Sequence, residues 1–204
     1  MKTTRILILI LFSFFMSSIA QAKDPSNLIS EIVDEASKIL SSSDPVESKI
    51  IKLNNIAEKN VDIEGIGMYT LGKYRKIITE DEKIKYKKLF KSYFLKSFSS
   101  RLVDYTHPKI NVVSQKKINE RYTIVNTLLE KTSKTPEVKI DWRVYTKNPE
   151  RPLIRDLIVE GLSLARTQKE EFNSIIKNNI FKIFIILIYF YYCSGPQYEL
   201  NIFI

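Results

Sequence analysis

The chain has little of what enzymatic and metal chemistry needs. Its 204 residues include a single histidine, His107, and a single cysteine, Cys193. A nucleophilic triad would have to use His107, yet no nucleophile-elbow pattern and no suitable cysteine accompanies it. Its place before Pro108 in a loop-like stretch points to a structural role. One histidine and one cysteine leave only carboxylates as metal ligands. Asp156 and Glu160, four residues apart at a strand end, read as acceptors for turn backbone or a nearby Lys or Arg rather than as a catalytic pair. No glycine-rich phosphate loop is present. No catalytic residue, metal or cofactor is therefore assigned. A lone cysteine also excludes an internal disulfide, so the fold has to rest on its apolar core.

Long apolar runs are scarce as well. The first 22 residues carry Lys2 and Arg5, then an apolar stretch from Ile6 to Met16, then Ala20-Gln21-Ala22. That is the order of a secretory signal peptide, with cleavage expected after Ala22. The stretch is shorter than the roughly 20 residues of a spanning helix, which weighs against an uncleaved anchor. No cysteine follows it, so lipid modification of the new N-terminus is not expected. Loss of Lys2 and Arg5 lowers the formal charge from +9 to +7, leaving 30 Lys and Arg against 23 Asp and Glu. Residues 23–178 suit one domain with a substantial core. The basic residues are interspersed with acids, as in Lys83, Lys85, Lys87 and Lys88 near Asp81 and Glu82. A solvated face is the first reading of this pattern, and attraction to anionic membrane surfaces or headgroups the second. Nucleic acid is a poor partner for an exported chain with no clustered basic arm.

What is present is a change of period along the chain. Leu28, Ile32, Val33, Ala36, Ile39 and Leu40 recur at helical spacing until Ser41-Ser42-Ser43-Asp44-Pro45 breaks the pattern. A second helix is predicted over Val46 to Lys59. The glycines of the Val61 to Tyr74 stretch argue against one long helix there, and regular helix is expected near Met68. Thr79 with Glu82 forms a capping box that opens a helix with Tyr86, Leu89, Phe90, Tyr93, Phe94 and Phe98 on one face. Such a stripe fills a core in most proteins. Some of these rings bordering a cavity is the alternative.

After His107-Pro108, stretches rich in Val, Ile and Thr predict strands over Lys109 to Gln115, Arg121 to Glu130, Val138 to Thr146 and Leu153 to Val159. Short loops between them imply an antiparallel meander. Val138, Ile140, Trp142 and Val144 alternate with polar neighbours, giving the sheet one apolar face, to which Val125, Thr127 and Leu129 contribute. Leu153, Leu157 and Val159 are expected on one face of the fourth strand, with Arg155 as the polar exception. Gly161 then permits a turn, Ser163 is placed to cap, and Leu164, Gln168, Phe172, Ile175 and Ile176 fall on one side of a helix. The expected fold is α+β: N-terminal helices packed on a four-stranded antiparallel sheet, with a closing C-terminal helix. From Asn178 the chain loses amphipathic period and carries no charge between Ile183 and Cys193. That stretch is short for a membrane span. Its Ile, Phe, Tyr, Asn and Lys content fits a changed reading frame in an adenine- and thymine-rich gene, so residues 179–204 are read as an aberrant tail.

The strand-to-helix corner, Asp156-x-x-Val159-Glu160-Gly161-x-Ser163, resembles that of the MlaC family of periplasmic phospholipid carriers, also called the toluene-tolerance family. The resemblance runs from about Asp62 to Ile176. It includes Leu71-Gly72-Lys73-Tyr74, Phe90, Asp141-Trp142-Arg143, Thr167-Gln168 and Phe172 in the family's order. Arg151-Pro152, where an aromatic often opens the fourth strand, and the tail both depart from it. The resemblance implies a carrier that shuttles phospholipid between outer-membrane components and an inner-membrane ABC transporter. Each acyl methylene exposed to water costs about 0.8 kcal/mol, so two chains resist aqueous transfer by something on the order of 20 kcal/mol. A carrier must supply an apolar cleft. Candidate lining residues are Leu71, Tyr74, Phe94, Val125, Leu129, Ile140, Trp142, Leu157 and Val159. An exported protein-binding module without lipid, or a lipid-modifying enzyme using His107, are the competing readings. N-terminal sequencing of the exported protein is expected to begin at Lys23, and a membrane-bound chain still beginning at Met1 would refute this placement.

Overall fold

The computed structural model describes residues 22–132, 136–178 and 185. The expected signal peptide up to residue 21 and the expected tail, Ile185 apart, lie outside the described residues. Helix α1 (Pro25–Ser41) starts where Asp24 accepts the N–H of Asn27 at 3.0 Å, with Pro25 in the first turn. Its buried stripe is Leu28, Ile29, Ile32, Val33 and Leu40. Helix α2 (Val46–Asn60) follows and buries Leu53, Ile56 and Ala57.

Helix α3 (Ile63–Thr70) begins earlier than the sequence suggests, because the Asp62 carboxylate accepts the N–H of Gly65 at 2.9 Å and caps it. Gly65 and Gly67 are inside this helix. At Gly67 the reason is a close approach: an added Cβ would stand 2.7 Å from Cδ1 of Phe90. A 3₁₀ turn (Gly72–Lys76) leads to α4 (Glu80–Leu102), which opens with the predicted capping box of Thr79 and Glu82. Gly72, at φ +56°, makes the break between α3 and this turn. Asn173 fills the space beside Gly72 and donates to the Thr70 carbonyl at 3.0 Å, closing the end of α3.

The sheet has strand order β1-β2-β3-β4-β5, all antiparallel, formed by Ile110–Asn119, Tyr122–Leu129, Val138–Tyr145, Leu153–Val159 and Leu162–Ser163. The meander is as expected, with five strands instead of four. The extra strand has two residues, too few to show a period, and joins β4 through the two-residue turn Glu160-Gly161, with φ +48° and +83°. Positive φ at both positions matches the twist of the flanking strands. Helix α5 (Leu164–Asn178) closes the fold.

One strand face differs from the expectation. Trp142 pairs with Leu157 and Ile140 with Val159, so Leu157 and Val159 do lie on the apolar face. A bulge between Arg143 and Val144 then shifts the pairing, so Ile154 sits opposite Val144 and Leu153 opposite Tyr145. Ile154 therefore occupies the core in place of Leu153, and Arg155 swings to the other face.

The apolar residues form two cores. One joins α1 and Ile56 of α2 to Val125, Val144 and Ile154 of the sheet. The other is helical, built from Ile63, Ile66, Leu71, Ile78, Tyr86, Phe90, Tyr93, Phe172, Ile176 and Ile185. Val61 packs against both and bridges to Ile154. Replacing Gly67 by Ala tests how tightly the helical core is closed. The better helix former gains about 1 kcal/mol, but its methyl meets a ring only 1% exposed that has nowhere to move. Urea unfolding is expected to show a net loss of about 1–3 kcal/mol, and an unchanged or raised midpoint would mean that Phe90 yields.

Candidate functional site

The β4 region is fixed first by polar groups. Asp156, 4% exposed, accepts the Ala165 N–H at 3.0 Å, the Ser163 hydroxyl at 2.6 Å and the Arg143 guanidinium at 3.1 Å. Ser163 in turn accepts the Arg166 N–H, so one carboxylate and one hydroxyl hold the start of α5 to the strand. Glu160 accepts the Lys139 N–H. Asp156 thus bonds a basic side chain, as expected, whereas Glu160 bonds strand backbone. On the same face Arg155 donates to Asp62 at 2.6 Å and to the Tyr122 hydroxyl at 3.1 Å, and stacks 3.7 Å above the Tyr145 ring. Burial opposes its charge, but the bonds to Tyr122 and Asp62 outweigh it and hold the guanidinium above its ordinary pKa.

The opposite, apolar face carries the candidate site. Val125, Trp142 and Leu157 form one row across β2, β3 and β4, and Thr127, Ile140 and Val159 form the next. Leu129 and Val138 continue beyond them. Toward the α1 end this face is sealed, with Val125 and Val144 fully buried. Toward the β4–β5 turn it is not: Leu129, Ile140, Trp142, Leu157 and Val159 are only half-buried. Trp142 packs at the edge of the sheet core, while Leu129, Ile140, Leu157 and Val159 stand outside both cores among the described residues. The hydroxyl within the strip is already spent, since Thr127 accepts the Trp142 indole N–H at 2.9 Å and donates to the Ile140 carbonyl at 2.9 Å. An aliphatic surface whose polar atoms are internally satisfied suits hydrocarbon.

The structure thus separates the nine candidate residues. Leu71 is fully buried in the helical core, with Tyr74 and Phe94 packed against it. Val125 belongs to the sheet core, and the other five form the half-buried strip or its edge. The aromatic helix divides in the same way. Tyr86, Phe90 and Tyr93 are core, whereas Phe94 and Phe98 are half-buried and stack on each other at 5.9 Å. Phe98 and Thr127 are additions to the candidate set, and the apolar stripe and strand alternation already contained both. A polar seam runs through the helical core, where Tyr93 donates to Gln168 at 2.9 Å and Gln168 to Glu171 at 3.3 Å. Burial raises the Glu171 carboxyl above its ordinary pKa. His107 is exposed in a loop with φ +53°. Among the described residues no group of three or more His, Cys, Asp or Glu side chains is placed to hold a metal, and no helix is long and apolar enough to cross a membrane.

These features define a class: a small α+β protein with an antiparallel meander, two separate cores and an incompletely covered apolar strip on the sheet. The profile of the MlaC protein family matches residues 28–185, and the chain belongs to that family. Its fold is similar to that of a phospholipid-binding protein from Ralstonia solanacearum, solved in complex with a phospholipid. The TM-score is 0.65 at 17% identity, covering 82% of this chain and 94% of that one. At this identity the likeness is one of fold. No curated protein matches the sequence.

The integrity of the strip can be checked through its hydroxyl. Thr127→Val keeps the volume but leaves the Trp142 N–H without its acceptor, and is expected to cost about 1–2 kcal/mol. Urea unfolding followed by the emission of Trp142, the only tryptophan, reads this directly. A midpoint equal to wild type would show that the bond contributes nothing to holding the indole.

Proposed function

We propose that this chain is a periplasmic phospholipid carrier. It holds acyl chains against the half-buried strip of β2, β3 and β4 and passes lipid between outer-membrane lipoprotein and inner-membrane ABC transporter components. The observation that carries this reading is the strip itself. Leu129, Ile140, Leu157 and Val159 present aliphatic surface that neither core covers among the described residues, and the Thr127 hydroxyl there both donates and accepts within the sheet. Membership of the MlaC family and the lipid-bound neighbour of the same fold support the ligand class. The signal-peptide order of residues 1–22 supports the compartment.

The aliphatic chemistry of the strip among the described residues supports carriage of hydrocarbon as the reading. Lining residues at the sheet are Leu129, Ile140, Trp142, Leu157 and Val159, with Val125 buried in the adjoining sheet core. Leu71, Tyr74 and Phe94 support the helical wall, with Phe94 and Phe98 at its half-buried edge. The aberrant tail expected over residues 179–204 is proposed to begin only beyond Ile185, since that side chain is 7% exposed within the helical core and the family match ends at the same residue.

A native mass spectrum of the purified mature protein is expected to contain a bound phospholipid mass. Val159→Asp, which puts a carboxylate on the strip, is expected to retain the wild-type circular dichroism and lose most of that occupancy. Wild-type protein purified without lipid would count against carriage, and a folded variant with undiminished lipid would remove this face from the site.

A further inference from the structure

The segment from the 3₁₀ turn into α4 is anchored inward by Leu71, Ile78 and Tyr86, all at most 9% exposed. Between these anchors two aliphatic side chains point outward, Ile77 at 74% and Ile84 at 66% exposure. Lys73, Arg75, Lys76, Lys85 and Lys88 lie in the same segment and are exposed. Lys83 and Lys87 are engaged by Glu80 and Glu64, whereas Arg75, Lys76, Lys85 and Lys88 have no carboxylate partner among the described residues. Of the nearby acids, Glu80 is taken by Lys83 and Glu82 by the capping box, which leaves Asp81. Four unpaired cations against one free acid, beside isolated aliphatic side chains, form a surface complementary to anionic headgroups over hydrocarbon.

We infer that this corner, residues 73–88, docks the protein on an anionic lipid bilayer, with Ile77 and Ile84 entering the headgroup layer and Arg75, Lys76, Lys85 and Lys88 meeting lipid phosphates. A lipid surface fits better than an acidic protein face. Protein interfaces are depleted in lysine and enriched in aromatic anchors, and here lysines flank two separate isoleucines. Lysine stems can lie along acyl chains while their ammonium groups stay at the phosphates. The docking surface is separate from the acyl-chain strip, so it functions whether the strip is filled or empty.

The test is co-sedimentation of the mature full-length chain with phosphatidylcholine–phosphatidylglycerol vesicles and with pure phosphatidylcholine vesicles. The paired change Arg75→Glu and Lys76→Glu is expected to weaken binding to the anionic vesicles about tenfold or more, while Lys116→Glu with Lys117→Glu, the same charge change on β1, alters it less than about twofold. Ile77→Ser with Ile84→Ser is expected to weaken binding while retaining the preference for anionic vesicles. Circular dichroism confirms that each variant is folded. Equal effects from the two charge pairs would reduce the attraction to net charge and overturn the assignment. Unchanged binding in the isoleucine variant would also overturn it, leaving a charged surface suited to an acidic protein.

Discussion

Strand β4 is where the two cores are tied together. The Asp62 N–H donates to the Ile154 carbonyl at 2.9 Å, and the Asp62 carboxylate caps α3 and receives Arg155. Two residues further along β4, Asp156 binds the start of α5. Consecutive charged residues of one strand therefore fix both α3 and α5, which are the helices that build the second core with α4. The bulge makes this geometry available. Without the extra residue, Arg155 would face the sheet core, where an unpaired guanidinium is heavily disfavoured. With it, Arg155 reaches Tyr122, Tyr145 and Asp62 on the outer face, and Ile154 takes the vacated core position.

The same arrangement explains why part of the apolar face is left half-buried. Helix α1 lies across β1 and β2 and seals that end, while α3 and α5 pack against β4 and direct their bulk into a core of their own. Between these two commitments the rows through Trp142–Leu157 and Ile140–Val159 receive less cover. In a protein of this size such surface is more readily explained by a ligand than by loose packing, since interiors are otherwise filled at crystal-like density. An acyl chain laid along it exchanges water for aliphatic contact at about 0.8 kcal/mol per methylene. That gain is available without any hydrogen bond to the ligand's hydrocarbon, which fits a strip whose hydroxyl is internally satisfied.

Much of the fold was legible because it depends on period and punctuation. The capping box at Thr79 and Glu82, the alternation of β3 and the turn at Gly161 are local signals, and each is realised in the structure. What was not legible depends on partners distant in the chain. The glycines of α3 read as helix breakers, yet Gly67 is there because the Phe90 ring occupies the space a side chain would need. The bulge in β4 cannot be seen in a regular alternation, which puts Leu153 on the wrong face, although Arg155 marks the irregularity. A two-residue strand carries no period at all. For the candidate site, strand alternation identified the sheet residues, but the division of the aromatic stripe between a filled core and the half-buried pair Phe94 and Phe98 is set by how α4 meets α3 and α5. Leu71 is a core residue by its burial, a distinction from a cleft wall that no spacing rule makes.

The central claim is a location: acyl chains lie on the uncovered rows of the sheet, not within either core. A phospholipid carrying a photoactivatable group in its acyl chain, loaded into the protein and irradiated, reports that location by peptide mapping. The account predicts labelling on Leu129, Ile140, Trp142, Leu157 or Val159. Labelling confined to the outer face of the sheet or to the exposed surface of α4, with those residues unmarked, would contradict it.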